Sequence, residues 1–126
     1  MFVCENISQN EKGHLCFAGR DTIELAEKYG TPLYLIDEER LRRNCRIYAE
    51  AFRKYFPAGS MPIYASKANS FKQICRIVKQ EGLGLDVVSC GEIQTAFLAG
   101  FDLSRAYFHN NNKTDGDISF AMDKGV

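Results

Sequence analysis

Three short polar stretches of this chain carry residues able to do chemistry. Tyr64-Ala65-Ser66-Lys67-Ala68-Asn69 sets a lysine between two alanines. Small neighbours leave space around an amine, and a lysine partly desolvated in such a pocket loses its proton more readily and can form a Schiff base with an aldehyde. The other reading of Lys67 is a solvated loop lysine. Leu85-Asp86-Val87 places a carboxylate between apolar residues. Asp86 is either exposed at an edge or pointed inward, where it needs a partner that a cation such as Lys67 would supply. Ser89-Cys90-Gly91-Glu92 has the spacing of a capping box, so Glu92 either closes a helix start or serves a ligand. His109 ends an apolar stretch, as a packed residue or a catalyst. Asn110-Asn111-Asn112, by itself, is turn chemistry.

Each stretch follows a segment that reads as a strand. Leu33-Tyr34-Leu35-Ile36 is a continuous apolar run between Pro32 and Asp37, as in a strand buried on both faces, and Leu41, Cys45, Tyr48, Ala49, Phe52 and Phe56 follow at helical spacing. A second strand is expected over 61–65, then a helix capped by Ser70 that turns Phe71, Ile74, Ile77 and Val78 to the core and stops at Gly82. A third strand over 85–88 leads into the helix opened by Ser89 and closed by Gly100. A fourth over 106–109 leads through the asparagine loop to a helix capped by Thr114 and ending near Gly125. Ahead of these units, Phe2–Ile7 and His14–Ala18 read as a short hairpin around Lys12-Gly13, and Asp21 to Glu24 opens a helix that Gly30 stops.

Four consecutive βα units with short connections imply an α/β fold with a parallel sheet, because each helix returns the chain to start the next strand in the same direction. An open doubly wound sheet and the first half of a (βα)8 barrel both fit, and both put functional residues at the C-terminal ends of strands. Those ends are where Lys67, Glu92 and His109 fall. No G-x-G-x-x-G follows any strand, which removes the main support for a dinucleotide-binding version.

Composition narrows the classes further. Sixteen Lys+Arg against 16 Asp+Glu give no electrostatic bias toward nucleic acid or an anionic membrane. At 126 residues and 45% apolar content, one domain with a real core is expected, and disordered and fibrous classes are excluded. No apolar run exceeds four residues and Glu5 stands where a signal peptide needs positive charge, so a soluble, unexported, cytoplasmic protein is expected. The five cysteines (Cys4, Cys16, Cys45, Cys75, Cys90) are odd in number and free of any C-x-x-C pair. That pattern suits a reducing compartment, argues against disulfides and a metal site, and makes most of them small buried apolar residues.

Taken in order, Gly30-Thr31-Pro32-Leu33-Tyr34, Tyr64-Ala65-Ser66-Lys67-Ala68-Asn69, Gly82-Leu83-Gly84-Leu85-Asp86-Val87-Val88-Ser89 with Gly91-Glu92-Ile93, and Phe108-His109-Asn110-Asn111-Asn112-Lys113 resemble the N-terminal part of diaminopimelate decarboxylases. The resemblance runs from about Ala18 onward. It implies a pyridoxal 5'-phosphate enzyme in which Lys67 is the catalytic cofactor lysine and Asp86 and His109 also lie at the cofactor. It implies conversion of meso-diaminopimelate to L-lysine and carbon dioxide, in lysine biosynthesis, by a homodimer at full length. The fold implied is the N-terminal part of a (βα)8 TIM-type barrel over 21–126, with residues 1–20 a β segment belonging to a β-rich second domain. Relatives sharing the lysine motif act on ornithine, arginine, lysine or carboxynorspermidine, and these remain alternatives, as does a non-catalytic, truncated or split-chain module supplying half a barrel.

The chain departs from the family in three ways. Cys90 and Asn110 stand where relatives usually have glycine; asparagine tolerates positive φ, whereas a side chain at position 90 can crowd a close backbone approach. Family members are also several hundred residues long, and their glycine-rich phosphate loop, pyridine-nitrogen acid and substrate-binding residues come later in the chain. The 126 residues alone are therefore expected to need the missing C-terminal half as a partner and to be inactive by themselves.

Overall fold

The computed structural model describes residues 4–126, which fall into two compact units, one ending at Leu41 and one running from Arg42 to Val126. Phe2 and Val3 of the expected first strand lie outside the described residues. Cys4 to Asn6 form a bend and turn, so the strand begins only at Ile7.

In the first unit β1 (Ile7–Gln9), β2 (Leu15–Phe17) and β3 (Arg20–Asp21) form an antiparallel sheet in that order. The Lys12-Gly13 turn joins β1 to β2. Ala18 and Gly19, both with positive φ, make the two-residue turn to β3, the geometry that a tight hairpin needs. Helix α1 (Thr22–Tyr29) follows, its start capped by Asp21, which accepts from the Ile23 and Glu24 N–H groups. Leu33–Ile36 forms no strand: it belongs to neither ladder, and Tyr34 is 91% exposed. Apolar character alone does not make a strand, which exists through the ladder that receives its N–H and C=O groups. Asp37 then accepts from the Arg40 N–H at 3.0 Å and opens α2 (Glu38–Tyr55).

The second unit holds the parallel sheet, with three strands rather than four: β4 (Ile63–Ala65), β5 (Gly84–Val87) and β6 (Ala106–Phe108), in that order. Helix α3 (Lys72–Gln80) connects β4 to β5, α4 (Cys90–Leu98) connects β5 to β6, and α5 (Asp115–Lys124) follows β6. Central β5 carries the core. Leu85 and Val87 are fully buried, as are Ile77 and Val78 of α3 and Ile93 and Ala96 of α4. Leu85 and Val87 stand two apart on the strand and so share one face of the sheet. Gly84 is required by close approach, since a Cβ there would sit 2.6 Å from Met61 Cε and 3.0 Å from the Arg105 carbonyl oxygen.

Local capping departs from expectation at α3. Ser70 does not cap it, and Phe71 is 65% exposed rather than in the core. Ser66–Ala68 coil into a 3-10 turn, and the Asn69 side chain takes the turn position, its Oδ1 accepting from the Phe71 N–H at 3.2 Å. Thr114 caps α5 as expected, in a full capping box with Asp117.

Candidate functional site

The ladder register fixes the geometry of the C-terminal end of the parallel sheet. Ala65 pairs with Asp86, and Asp86 with Tyr107. Lys67 therefore emerges two residues beyond the level of Asp86 on one side, and His109 two residues beyond it on the other. The His109 N–H donates to the Val87 carbonyl at 2.9 Å, extending the β5–β6 pairing by one bond. The three candidate residues share one end of the sheet, the end where functional groups of parallel α/β folds collect.

Their environments differ. Lys67 is exposed, and among the described residues nothing hydrogen-bonds or pairs with its amine. Of the two readings of Lys67, the solvated one describes this structure: Ala65 and Ala68 carry side chains too short to cover a four-carbon stem, and Ala68 is itself exposed. Asp86 is half-buried, with Oδ1 fully buried and without a hydrogen-bond partner. Lys67 thus does not serve as its counter-ion. Buried acceptors without donors are rare in folded proteins because each costs about 1–3 kcal/mol. His109 is exposed, so the packed alternative for it does not hold.

Glu92 does more than close its helix. Its N–H donates to Ser89 Oγ at 3.2 Å, the ordinary N-cap bond. Its carboxylate, however, does not return to the Ser89 N–H as a capping box would. Oε2 accepts from the Val88 N–H at 2.8 Å and from the hydroxyl of Ser66, which is 1% exposed. On the far side of the lysine turn, the Tyr64 hydroxyl donates to the Asn69 carbonyl at 3.2 Å. Desolvation of that half-buried phenol pushes its pKa up.

Asn110 reaches back to donate to the Val88 carbonyl at 3.2 Å, and its Oδ1 is a second buried acceptor without a partner. Lys113 folds onto the same loop, 3.3 Å from the Asn110 carbonyl and over the Phe108 ring. Cys90 is the first residue of α4. Its thiol donates to Asp117 Oδ1 at 3.1 Å, and that bond raises the thiol's pKa while it helps to lower the carboxylate's. Cys16, Cys45 and Cys75 are buried as expected; Cys4 and Cys90 are only half-buried.

Sequence reasoning gave Ser66 no role of its own and read Asn110 as turn chemistry where relatives usually have glycine. The only signal for Ser66 was its place beside Lys67 at a strand end, and Asn110 differs from an ordinary turn asparagine only in its burial.

Residues 38–126 match the sequence model of the pyridoxal-dependent decarboxylase, pyridoxal binding domain family. The chain belongs to that family. The diaminopimelate decarboxylase of Methanothermobacter thermautotrophicus is 47% identical over 121 residues, covering 96% of this chain and 28% of that protein. The Bacillus subtilis enzyme of the same name is 42% identical over 128 residues and is likewise matched over 28% of its length. Among solved structures, diaminopimelate decarboxylase from M. jannaschii in complex with L-lysine aligns with a TM-score of 0.83 and 34% identity, over 97% of this chain and 29% of that one. The fold is accordingly the N-terminal part of a decarboxylase barrel, and the chain spans a little over a quarter of the length of these relatives.

The residues present suit a pyridoxal ligand. An amine with no competing partner stands at Lys67, and two buried acceptors, Asp86 Oδ1 and Asn110 Oδ1, await hydrogen-bond donors at the same end of the sheet. Among the described residues no three His, Cys, Asp or Glu side chains gather as a metal site would require.

Proposed function

We propose that this chain supplies the cofactor-lysine portion of a pyridoxal 5'-phosphate-dependent decarboxylase acting on meso-diaminopimelate to give L-lysine and carbon dioxide. The observation that carries the reading is Lys67 at the C-terminal end of β4, unengaged, beside a β5 carboxylate whose buried oxygen lacks a donor. The 47% and 42% identities to named diaminopimelate decarboxylases support the choice of substrate.

In this reading Lys67 would hold the cofactor aldehyde through its amine and release it to the substrate amine. Asp86 accepts a hydrogen bond from the bound cofactor or its lysine, which would satisfy Oδ1. His109 lines the next strand end. When bound, pyridoxal phosphate supplies a conjugated ring that takes up the electron pair left as the carboxylate departs. Lys67 and its neighbours hold the reacting amine at that ring; the phosphate anchor and the substrate-side groups belong to segments of the relatives beyond the matched length. We read residues 1–20 as a β segment of a second, β-rich domain and 21–126 as barrel, in a cytoplasmic enzyme that is a homodimer at full length.

Two measurements test this. Borohydride reduction, in the presence of pyridoxal phosphate, of a full-length graft in which residues 1–126 replace the matching stretch of the M. thermautotrophicus enzyme, followed by peptide mapping, is expected to find the cofactor chiefly on Lys67; its recovery on Lys72 or Lys113 instead overturns the assignment. Grafting residues 1–126 in place of the matching stretch of the M. thermautotrophicus enzyme is expected to keep decarboxylation of meso-diaminopimelate, and Lys67→Ala in that graft to abolish it.

A further inference from the structure

We infer that Ser66 and Glu92 are positioning residues for Lys67, joined as a latch that fixes the lysine-bearing turn to the start of α4; the inference rests on Lys67 being the cofactor lysine. Ser66 is the one buried polar residue of the described core, and its hydroxyl has one use there, donation to Glu92. The Glu92 carboxylate is itself fixed. Its backbone is held by the Ser89 cap, its Oε2 receives the Val88 N–H at 2.8 Å, and it lies in the first turn of a helix, where the macrodipole favours negative charge.

One carboxylate oxygen thus ties together the end of β5, the first turn of α4 and the residue immediately before Lys67. A helix-capping glutamate would need only the first two of these. The bond across to Ser66 does nothing for α4; what it restrains is the 3-10 turn Ser66–Ala68. The other end of that turn is held by the Tyr64 hydroxyl on the Asn69 carbonyl. Between the two anchors the Lys67 backbone is restrained while its amine has no partner, the combination a nucleophilic amine needs: a placed stem and an unengaged head.

The test compares Ser66→Ala, Glu92→Ala, the double variant and the conservative Glu92→Gln, which keeps an acceptor oxygen, all in the chain grafted into the full-length M. thermautotrophicus enzyme. Two readouts are taken: amide hydrogen exchange of residues 66–69, and the share of borohydride-trapped pyridoxal phosphate found on Lys67 relative to the other lysines. Each alanine variant is expected to speed exchange in the turn about tenfold and to cut the Lys67 share several-fold, leaving the other lysines as they were. The double variant should be no worse than the worse single, because both break one bond, and Glu92→Gln should stay near the unsubstituted graft. Trapping chiefly at Lys67 in the unsubstituted graft with the variants unchanged, or with additive losses, overturns the latch and leaves the cofactor-lysine reading standing. Even labelling of all lysines in the unsubstituted graft overturns that reading and the positioning role with it. If Glu92→Ala fails to fold, Ser66→Ala and Glu92→Gln carry the comparison.

Discussion

Asp86 stands level with Ala65 in the parallel ladder, two residues short of Lys67, with its Oδ1 buried and without a donor. A folded chain tolerates such an oxygen when function requires it, and the expected signature is a trade between stability and binding. Asp86→Asn keeps the shape and removes the charge. It is expected to raise the denaturant midpoint of this chain by the equivalent of about 1 kcal/mol while reducing trapping of pyridoxal phosphate on Lys67. A lower midpoint would show that the carboxylate stabilises the fold and is not held in reserve for a ligand.

The positions of these groups were legible in the sequence for a simple reason. Apolar triplets such as Ile63-Tyr64-Ala65 and Ala106-Tyr107-Phe108, each followed by polar residues and a helix, place the polar residues at strand ends whatever the details of packing. What the sequence withheld are properties of the third dimension. Leu33–Ile36 has the same apolar character as β4, yet only a ladder partner distinguishes strand from extended coil. The fates of Ser66 and Asn110 depended on burial, and that of Glu92 on which donors came within reach of its carboxylate. Capping chemistry was readable where cap and helix are contiguous, as at Thr114 and Asp117. It failed at Ser70, where the preceding 3-10 turn had moved the helix start on by one residue.

Cys90 offers a second test because its thiol is tied to Asp117. The hydrogen bond and negative charge of that carboxylate raise the thiol's pKa, and the thiolate is the reactive form. Alkylation of Cys90 by iodoacetamide at mildly alkaline pH is therefore expected to be slower than that of a free cysteine. Asp117→Asn should speed it several-fold, since the amide can still cap α5 without disfavouring the thiolate. Equal rates in the two proteins, followed by peptide mass, would mean that the contact does not persist in solution.

The first unit has its own pH dependence. Asp21 caps α1 and sits 2.8 Å from His14 Nδ1; that hydrogen bond, with those from Ile23, Asn10 and Glu24, lowers its pKa from 3.8 to about 2. A carboxyl depressed in the folded state contributes stability that is fully present above its unfolded value, near 4, and is lost as the pH falls through the folded value, near 2. Amide protection in α1, followed by NMR, is thus expected to hold from pH 6 down to about 4 and to decline between pH 4 and pH 2. In Asp21→Asn this contribution to the decline should be absent, because nothing titrates at the cap. A decline already complete above pH 4 in the unsubstituted chain would show that Asp21 does not carry the dependence.

The 126 residues by themselves are expected to take up cofactor without turning over substrate. Lys67 is exposed and unengaged, so its amine is open to an added aldehyde. Decarboxylation asks for more than that bond: the ring must be held so that the departing carboxylate's electron pair enters it, and the phosphate must be gripped by several charge-assisted hydrogen bonds, each contributing roughly 1.5–3 kcal/mol. The described end of the sheet offers two buried acceptors, Asp86 and Asn110, and one nearby lysine, Lys113, that is already folded onto its own loop and the Phe108 ring. Acceptors repel a phosphate and suit only the donor groups of the ligand. Carbon dioxide release from meso-diaminopimelate by the purified chain with pyridoxal phosphate should therefore match that of the free cofactor, even where peptide mapping shows Lys67 modified. Turnover well above the free cofactor, in a preparation whose mass spectrum shows no longer decarboxylase, would mean that the lysine turn and Asp86 suffice to orient the ring.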